Sequence, residues 1–211
     1  MVADYQASLL DDPAVEHASL GRLAGTVRRQ HLSRGAWVDL RPAWLTGSDH
    51  VFTRLVREVP WRAERRHMYD SMVDVPRLLC FYDEGDELPD PTLADARSAL
   101  SAHYRAELGE DFATAGLCYY RDGRDSVAWH GDRIGRGRTE DTMVAIVSLG
   151  EERRLSLRPR GGGASVAFAL GHGDLIVMGG SCQRTWEHAI LKMAKPVGPR
   201  ISVQFRPRGV R

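Results

Sequence analysis

An α+β chain, in which helices lead into a β-sandwich or jelly roll, is the fold class these 211 residues predict. Three observations predict it. Apolar residues recur at helical spacing in two segments before residue 109. Beyond Gly109 the pattern changes to eight short β-like runs. Between those runs lie turns rich in glycine, the mark of sandwiches, barrels and jelly rolls.

Taken in order, residues 1–34 read as short helical patches mixed with loops, their Arg28-Arg29 pair on a solvated face. Val51 to Val59 sets Phe52, Leu55, Val56 and Val59 on one helical face, and Pro60 stops the helix. Asp83 to Asp90 is acidic and turn-rich, a loop or boundary. Pro91 to Leu108 is a second amphipathic helix, marked by Leu93, Ala96, Leu100, His103 or Tyr104, and Leu108. The strands follow at Gly116–Tyr120, Ser126–His130, Thr142–Leu149, Arg154–Leu157, Ser165–Leu170, Asp174–Met178, Trp186–Leu191 and Arg200–Phe205. Residues 1–113 are thus expected to form a helical segment, to which the resemblance below adds substrate recognition, and 114–211 the β-core, together one compact domain.

Composition narrows the class. No apolar run approaches the ~20 residues of a membrane span, and Met1 to Asp12 carries acids where a signal peptide needs a basic start. A cytoplasmic monomer with no membrane partner is expected. Cys80, Cys118 and Cys182 lack the spacing of a zinc or redox motif and read as reduced thiols. The formal charge of +1 conceals an asymmetry: residues 1–120 hold 13 Arg against 19 acids, net −6, and residues 121–211 hold 14 Arg and two Lys against nine acids, net +7. A basic half fits a polyanionic partner such as nucleic acid.

The chemistry concentrates in the C-terminal half. His130-Gly131-Asp132 follows a strand, and residues i and i+2 of an extended segment share a face. A distant third imidazole would complete a set of two histidines and one carboxylate, which leaves positions open on non-haem Fe(II). A second triplet, His172-Gly173-Asp174, competes for the role. It sits in a glycine-flanked turn, where Asp174 reads as a turn acid. His188 lies 56 residues beyond Asp132, far enough for intervening strands to return it beside the first pair, but only 14 beyond Asp174. The first pair is therefore the metal candidate. In Arg200-Ile201-Ser202-Val203-Gln204-Phe205-Arg206 polar and apolar residues alternate strictly. A barrel that binds a dicarboxylate needs a guanidinium fork, which Arg200 could supply.

Cys118-Tyr119-Tyr120, Asp122-Gly123, Trp129-His130-Gly131-Asp132, Trp186-Glu187-His188 and the arginine strand, in that order over residues 114–208, resemble the AlkB-type Fe(II)/2-oxoglutarate-dependent dioxygenases, which demethylate alkylated nucleobases. The resemblance implies a double-stranded β-helix (jelly-roll) core with N-terminal helices and a nucleotide-recognition segment. It implies Fe(II), 2-oxoglutarate and O2, with His130, Asp132 and His188 on the metal. Tyr120 and Arg200 would hold 2-oxoglutarate, and Arg206 would sit by the metal aspartate or the proximal carboxylate. Val75-Pro76-Arg77 and Phe81-Tyr82 resemble the family's base-recognition segment. Trp61, Tyr69 and Tyr82 could stack on a flipped base in single-stranded or locally unpaired nucleic acid, while Arg62, Arg65 and Arg66 meet phosphates. Trp129 is expected in the core.

Three residues depart from the family pattern. Cys118 and Ser202 stand where the family has Asn, which removes amide hydrogen bonds to the co-substrate. Ile134 stands where many members have an acid that reads the base's exocyclic nitrogen. That leaves room for a hydroxylase or demethylase of a protein or small molecule; a metal-free jelly-roll binding module is the third reading.

Overall fold

The computed structural model describes residues 17–68 and 71–210, with side chains outside 65–74. Strands β1 (Ser19–Leu20), β2 (Arg28–His31), β3 (Ala36–Arg41) and β4 (Leu45–Thr46) precede helix α1 (Asp49–Glu58). A hairpin of β5 (Arg62–Met68) and β6 (Ser71–Tyr82) leads to helix α2 (Pro91–Leu108). Then come β7 (Phe112–Tyr120), β8 (Val127–His130), β9 (Val144–Gly150), β10 (Arg153–Pro159), β11 (Val166–Leu170) and β12 (Leu175–Gly180). A short helix α3 (Cys182–Thr185) joins β12 to β13 (Trp186–Ile190), and β14 (Arg200–Pro207) closes the fold.

Local chemistry sets the helices. At the start of α2 the Asp90 carboxylate accepts from the Thr92 amide at 2.9 Å, and Pro91 takes the first turn, where no amide donor is needed. Gly109, at φ 80°, ends the helix by donating its amide to the Arg105 carbonyl. In α1, Val51 and Leu55 are fully buried.

Two antiparallel sheets face each other. The larger runs β2-β3-β12-β9-β14-β7-β6-β5 and the smaller β11-β10-β13-β8. Alternation along β14 divides the interior into two cores. Ile201, Val203 and Phe205 pack toward the helices with Leu55, Leu93, Leu100 and Tyr104. Between the sheets lie Tyr120, Ile146, Leu155, Ile176, Met178, Trp186 and Ile190. Truncating a fully buried side chain such as Phe205 to alanine costs about 3–5 kcal/mol, so the helix layer anchors the sheet that carries the site.

All eight strands expected after Gly109 form, with ends displaced by up to four residues, and α2 spans the expected Pro91 to Leu108. The described part of 1–34 differs: Ser19–Leu20 and Arg28–His31 are strands and Ser33–Gly35 a single 3-10 turn. Pairing of Arg28–His31 with Leu40–Trp37 overrides the local preference. Arg29, expected on a solvated face, forks onto Asp39 and Glu107 and stacks 3.6 Å above the Trp37 ring. Strands β3, β5 and β6 were not expected either. β3 enters the sheet beside β12, and β6 beside β7.

Candidate metal centre and cleft

The register of β8 and β13 sets His188 directly opposite His130, with an irregularity just beyond it. The two imidazoles face each other at 4.3 Å between ring centres. Asp132 Oδ1 lies 3.6 Å from His130 Nε2 and 3.9 Å from His188 Nε2. One ligand atom from each residue falls within 4.8 Å of the others, and among the described residues this is the one such cluster.

Neighbouring groups hold each donor in place. His130 Nδ1 donates to the Ala128 carbonyl at 2.8 Å, which leaves Nε2 as a lone-pair donor toward the centre. The Asp132 amide donates to Gln183 Oε1 at 2.9 Å. The loop presses so close to α3 that a Cβ on Gly131 would stand 2.5 Å from the Gln183 carbonyl. Arg206 Nε donates to Asp132 Oδ2 at 2.6 Å. Burial alone would raise the Asp132 carboxyl, but the Arg206 guanidinium and the two imidazoles outweigh it and hold it well below the usual carboxylate range. Burial, with His130 close by, pushes His188 down to about 3, so its ring is neutral and able to ligate.

The second triplet has a different use. His172 accepts the Gly150 amide at Nδ1 and bonds Ser48 Oγ through Nε2 at 2.6 Å. Asp174 accepts from the Ala43 and Gly171 amides. Both brace turns.

Beyond the metal candidates the floor of the cleft is polar. Arg200 pairs across the sheet with Tyr120 and is 1% exposed. Its Nε donates to Ser148 Oγ at 2.8 Å, while Nη1 is buried with no partner. Burial pulls this guanidinium below its ordinary value. An unsatisfied buried donor costs roughly 1–3 kcal/mol, more when charged, and a bound carboxylate relieves that cost. Burial likewise raises the Tyr120 phenol, so it stays a hydroxyl donor. Ser202 and Cys118 face each other across β14 and β7. The donor set of two imidazoles and one carboxylate, open to a cleft where one guanidinium nitrogen of Arg200 lacks a partner, suits Fe(II) together with a dicarboxylate.

The cleft has a volume of about 1280 Å³ and reaches from Arg200 past the metal candidates to Tyr82 and Ile134. Ile134 is 69% exposed; with Phe81 and Leu191 it makes an apolar rim. Arg62, Arg77 and Lys192 also border the cleft. Trp61 does not line it. Its indole donates to the Leu55 carbonyl and packs on Tyr119, so α1 and the outer core claim the ring. Tyr69 and the side chains of Arg65 and Arg66 lie outside the described residues. Trp129, expected in the core, is half-exposed with Arg158 stacked 4.3 Å above it. The cysteines are free, as expected.

Three further residues of the site escape sequence reasoning. Gln183 ties α3 to Asp132. Arg153, itself buried, gathers the carbonyls of Asp122, Asp125 and Leu191 and so fixes the loop behind Tyr120. Gln204 bridges Arg206, Ser202 and Cys118. Only Gln204 left a signal, its even position among Arg200, Ser202 and Arg206.

Comparison with known proteins agrees with this geometry. Residues 45–206 match the model of the 2OG-Fe(II) oxygenase superfamily. Alpha-ketoglutarate-dependent dioxygenase alkB homolog 3 of Bos taurus is 30% identical over 197 residues, covering 82% of the chain and 66% of the relative. DNA oxidative demethylase ALKBH2 of Arabidopsis thaliana is 32% identical, covering 74% and 60%. Uncharacterized protein R406 of Acanthamoeba polyphaga mimivirus is 38% identical over 103 residues, covering 48% and 53%. The chain thus spans less than two thirds of these curated relatives. The structure of OsALKBH1 superposes with a TM-score of 0.57 at 16% identity, covering 84% of this chain and all of that one, a likeness of fold.

Proposed function

The chain belongs to the 2OG-Fe(II) oxygenase superfamily, and from that membership we propose that it is an AlkB-type dioxygenase that demethylates N-alkylated bases in nucleic acid. One observation carries the reading. Strand register sets His130 against His188, with Asp132 on the loop that follows, at the head of a cleft whose far end offers the unpartnered Nη1 of Arg200.

In this reading His130, Asp132 and His188 hold Fe(II). Arg200 pairs with the distal carboxylate of 2-oxoglutarate, Tyr120 and Ser202 donate to the co-substrate, and Arg206 keeps Asp132 charged and aimed. When bound, the iron with 2-oxoglutarate and O2 supplies the oxidation: one oxygen atom enters the N-methyl group, the other ends in succinate as CO2 leaves, and the hydroxymethyl group departs as formaldehyde. The chain's own residues orient the reactants and exclude water. Phe81, Ile134 and Leu191 give an extruded base an apolar mouth to enter; Tyr82, next to Phe81 on β6, borders the cleft but packs against the helix-side core. Arg62 and Lys192 stand where phosphates would pass. Residues 114–211 carry the centre and 1–113 share in recognition through Phe81 and Arg62, within one compact unit. Among the described residues no helix is long and apolar enough to cross a membrane; we read the protein as a cytoplasmic monomer acting on single-stranded or locally unpaired nucleic acid.

A second reading keeps the oxidation but changes the substrate to a protein side chain or small molecule. Ile134 favours it, because an exposed isoleucine at the mouth cannot accept a hydrogen bond from a base's amino group. Incubation of a panel of methylated oligonucleotides and peptides with Fe(II), 2-oxoglutarate and ascorbate decides between them by mass. Loss of a methyl group from an oligonucleotide, abolished in His130→Ala and retained in His172→Ala, is expected. Formaldehyde from a peptide alone would overturn the nucleic-acid reading.

A further inference from the structure

Four side chains of β14 line the floor of the cleft, and three have a chemical assignment above. The fourth, Gln204, has its whole amide engaged. Its Oε1 accepts from Arg206 Nη2 at 2.5 Å. Its Nε2 donates to Ser202 Oγ at 3.3 Å and to Cys118 Sγ at 3.4 Å. Across the sheet Gln204 faces Gly116, which offers no side chain. A Cβ there would stand 2.8 Å from Arg206 Nη1, so Gly116 leaves the space that the Arg206 fork occupies.

Two consequences follow from donor and acceptor counting. Arg206 is gripped at both ends, Nε on Asp132 Oδ2 and Nη2 on Gln204, so its guanidinium plane cannot swing into the cleft. Ser202 accepts from Gln204, and a hydroxyl that accepts keeps its single proton to give. Ser202 lines the cleft between Arg200 and Arg206, so that proton is free to be given to a ligand there. Neither Cys118 nor Ser202 carries an amide, and a thiol is a weak donor. The one amide on this part of the floor therefore sets the direction of both neighbours.

We propose that Gln204 is a positioning residue for 2-oxoglutarate: its amide turns the Ser202 hydroxyl toward the co-substrate and keeps the far end of the Arg206 fork from swinging into the cleft. This rests on the co-substrate reading above, and deepens it by naming what orients the site in a chain whose floor has serine and cysteine on either side of the glutamine.

The test is calorimetric titration of 2-oxoglutarate into the full chain loaded anaerobically with Fe(II), beside a separate Fe(II) titration and a thermal melt. Gln204→Met keeps length and volume but has no amide. The two neutral hydrogen bonds to Ser202 and Cys118, at roughly 0.5–1.5 kcal/mol each, correspond to a loss of about 5- to 150-fold in co-substrate affinity. Iron affinity should change less than about threefold, since Asp132 keeps its Arg206 Nε contact. Ser202→Asn in the Gln204→Met background brings an amide back to the same face and should recover most of the loss, which a merely structural role would not. Unchanged 2-oxoglutarate affinity in Gln204→Met overturns the proposal. So does parallel loss of iron and co-substrate, or failure of Ser202→Asn to recover binding in a protein that melts like the wild type. Wild-type protein that binds iron but no 2-oxoglutarate would instead overturn the co-substrate reading itself.

Discussion

Asp132 and His188 sit in one buried centre, and both titrate away from their ordinary ranges. Asp132 is held low by Arg206 and the imidazoles despite its burial, so its contribution to stability is present above the ordinary carboxylate pKa and is lost as pH falls through the folded value. His188 is pushed down to about 3 from an ordinary 6.5. Between those two values the unfolded chain binds a proton that the folded chain refuses, so stability falls as pH falls. Metal-free protein in chelator should therefore melt progressively lower as pH drops from 7 to 5, with Asp132 adding its loss only below about 4. His188→Gln should flatten the 7-to-5 segment; an equal slope in both proteins would mean that His188 does not carry it. At the far end of the cleft, Arg200→Lys keeps charge but loses the planar fork. It should raise the 2-oxoglutarate requirement by about one to two decades, the worth of a charged hydrogen bond at roughly 1.5–3 kcal/mol, with little change in iron binding. Equal 2-oxoglutarate dependence in mutant and wild type would refute the pairing. These residues were legible because the chemistry needs rare side chains in a fixed order. The choice between two identical His-x-Asp triplets followed from chain distance to His188. Gln183 and Arg153 were not legible, since they act through backbone groups that only the fold brings near.

Elements place the donors. β8 and β13 share a register that sets His130 against His188, and α3 lies against the loop that carries Asp132. Gly131 is the tight point, because any side chain there collides with the Gln183 carbonyl. Gly131→Ala should push the loop off α3 and weaken Fe(II) binding by about tenfold or more, while far-ultraviolet circular dichroism still reports the sheets. Iron affinity equal to wild type would show that the loop can shift without moving Asp132. The strands after Gly109 could be read because glycine turns bound them and alternation sorts their faces, β14 most clearly. β3 could not. Buried throughout most of its length, it carries Asp39 in the middle of its run, and only the Tyr104 hydroxyl and Arg29 explain how that carboxylate is tolerated. β5 is an edge strand of polar residues, and β6 becomes a strand by pairing with β7, a partner more than thirty residues away. Trp61 shows the same limit: an aromatic ring in sequence carries no sign of which layer will claim it.

At the scale of the whole molecule the charge asymmetry turns partly inward. Arg136 and Arg208, from the basic half, pair with Glu110 and Glu84 of the acidic half. Arg153, Arg200 and Arg206 are buried, whereas the pairs of Arg121, Arg124, Arg158 and Arg184 with acids of their own half are already counted in its net charge. The +7 of residues 121–211 therefore overstates the field a nucleic acid would meet. What remains at the cleft mouth is local: exposed Arg62 and Lys192 beside the apolar rim. Each phosphate neutralised on a single strand contributes roughly 0.7 to the slope of log affinity against log salt. Binding of a methylated single-stranded oligonucleotide should then show a shallow slope, set by a few phosphates rather than by the formal charge of the half. Arg62→Gln with Lys192→Gln should lower that slope by about 1.4 and weaken binding similarly for every sequence, because phosphate contacts carry no base information. Discrimination among methylated bases should survive the pair of substitutions if, as proposed, the base enters by the rim and cleft. A slope unchanged by the double substitution would place the phosphate path elsewhere on the surface; a slope near zero in the wild type would remove nucleic acid as the ligand of this cleft.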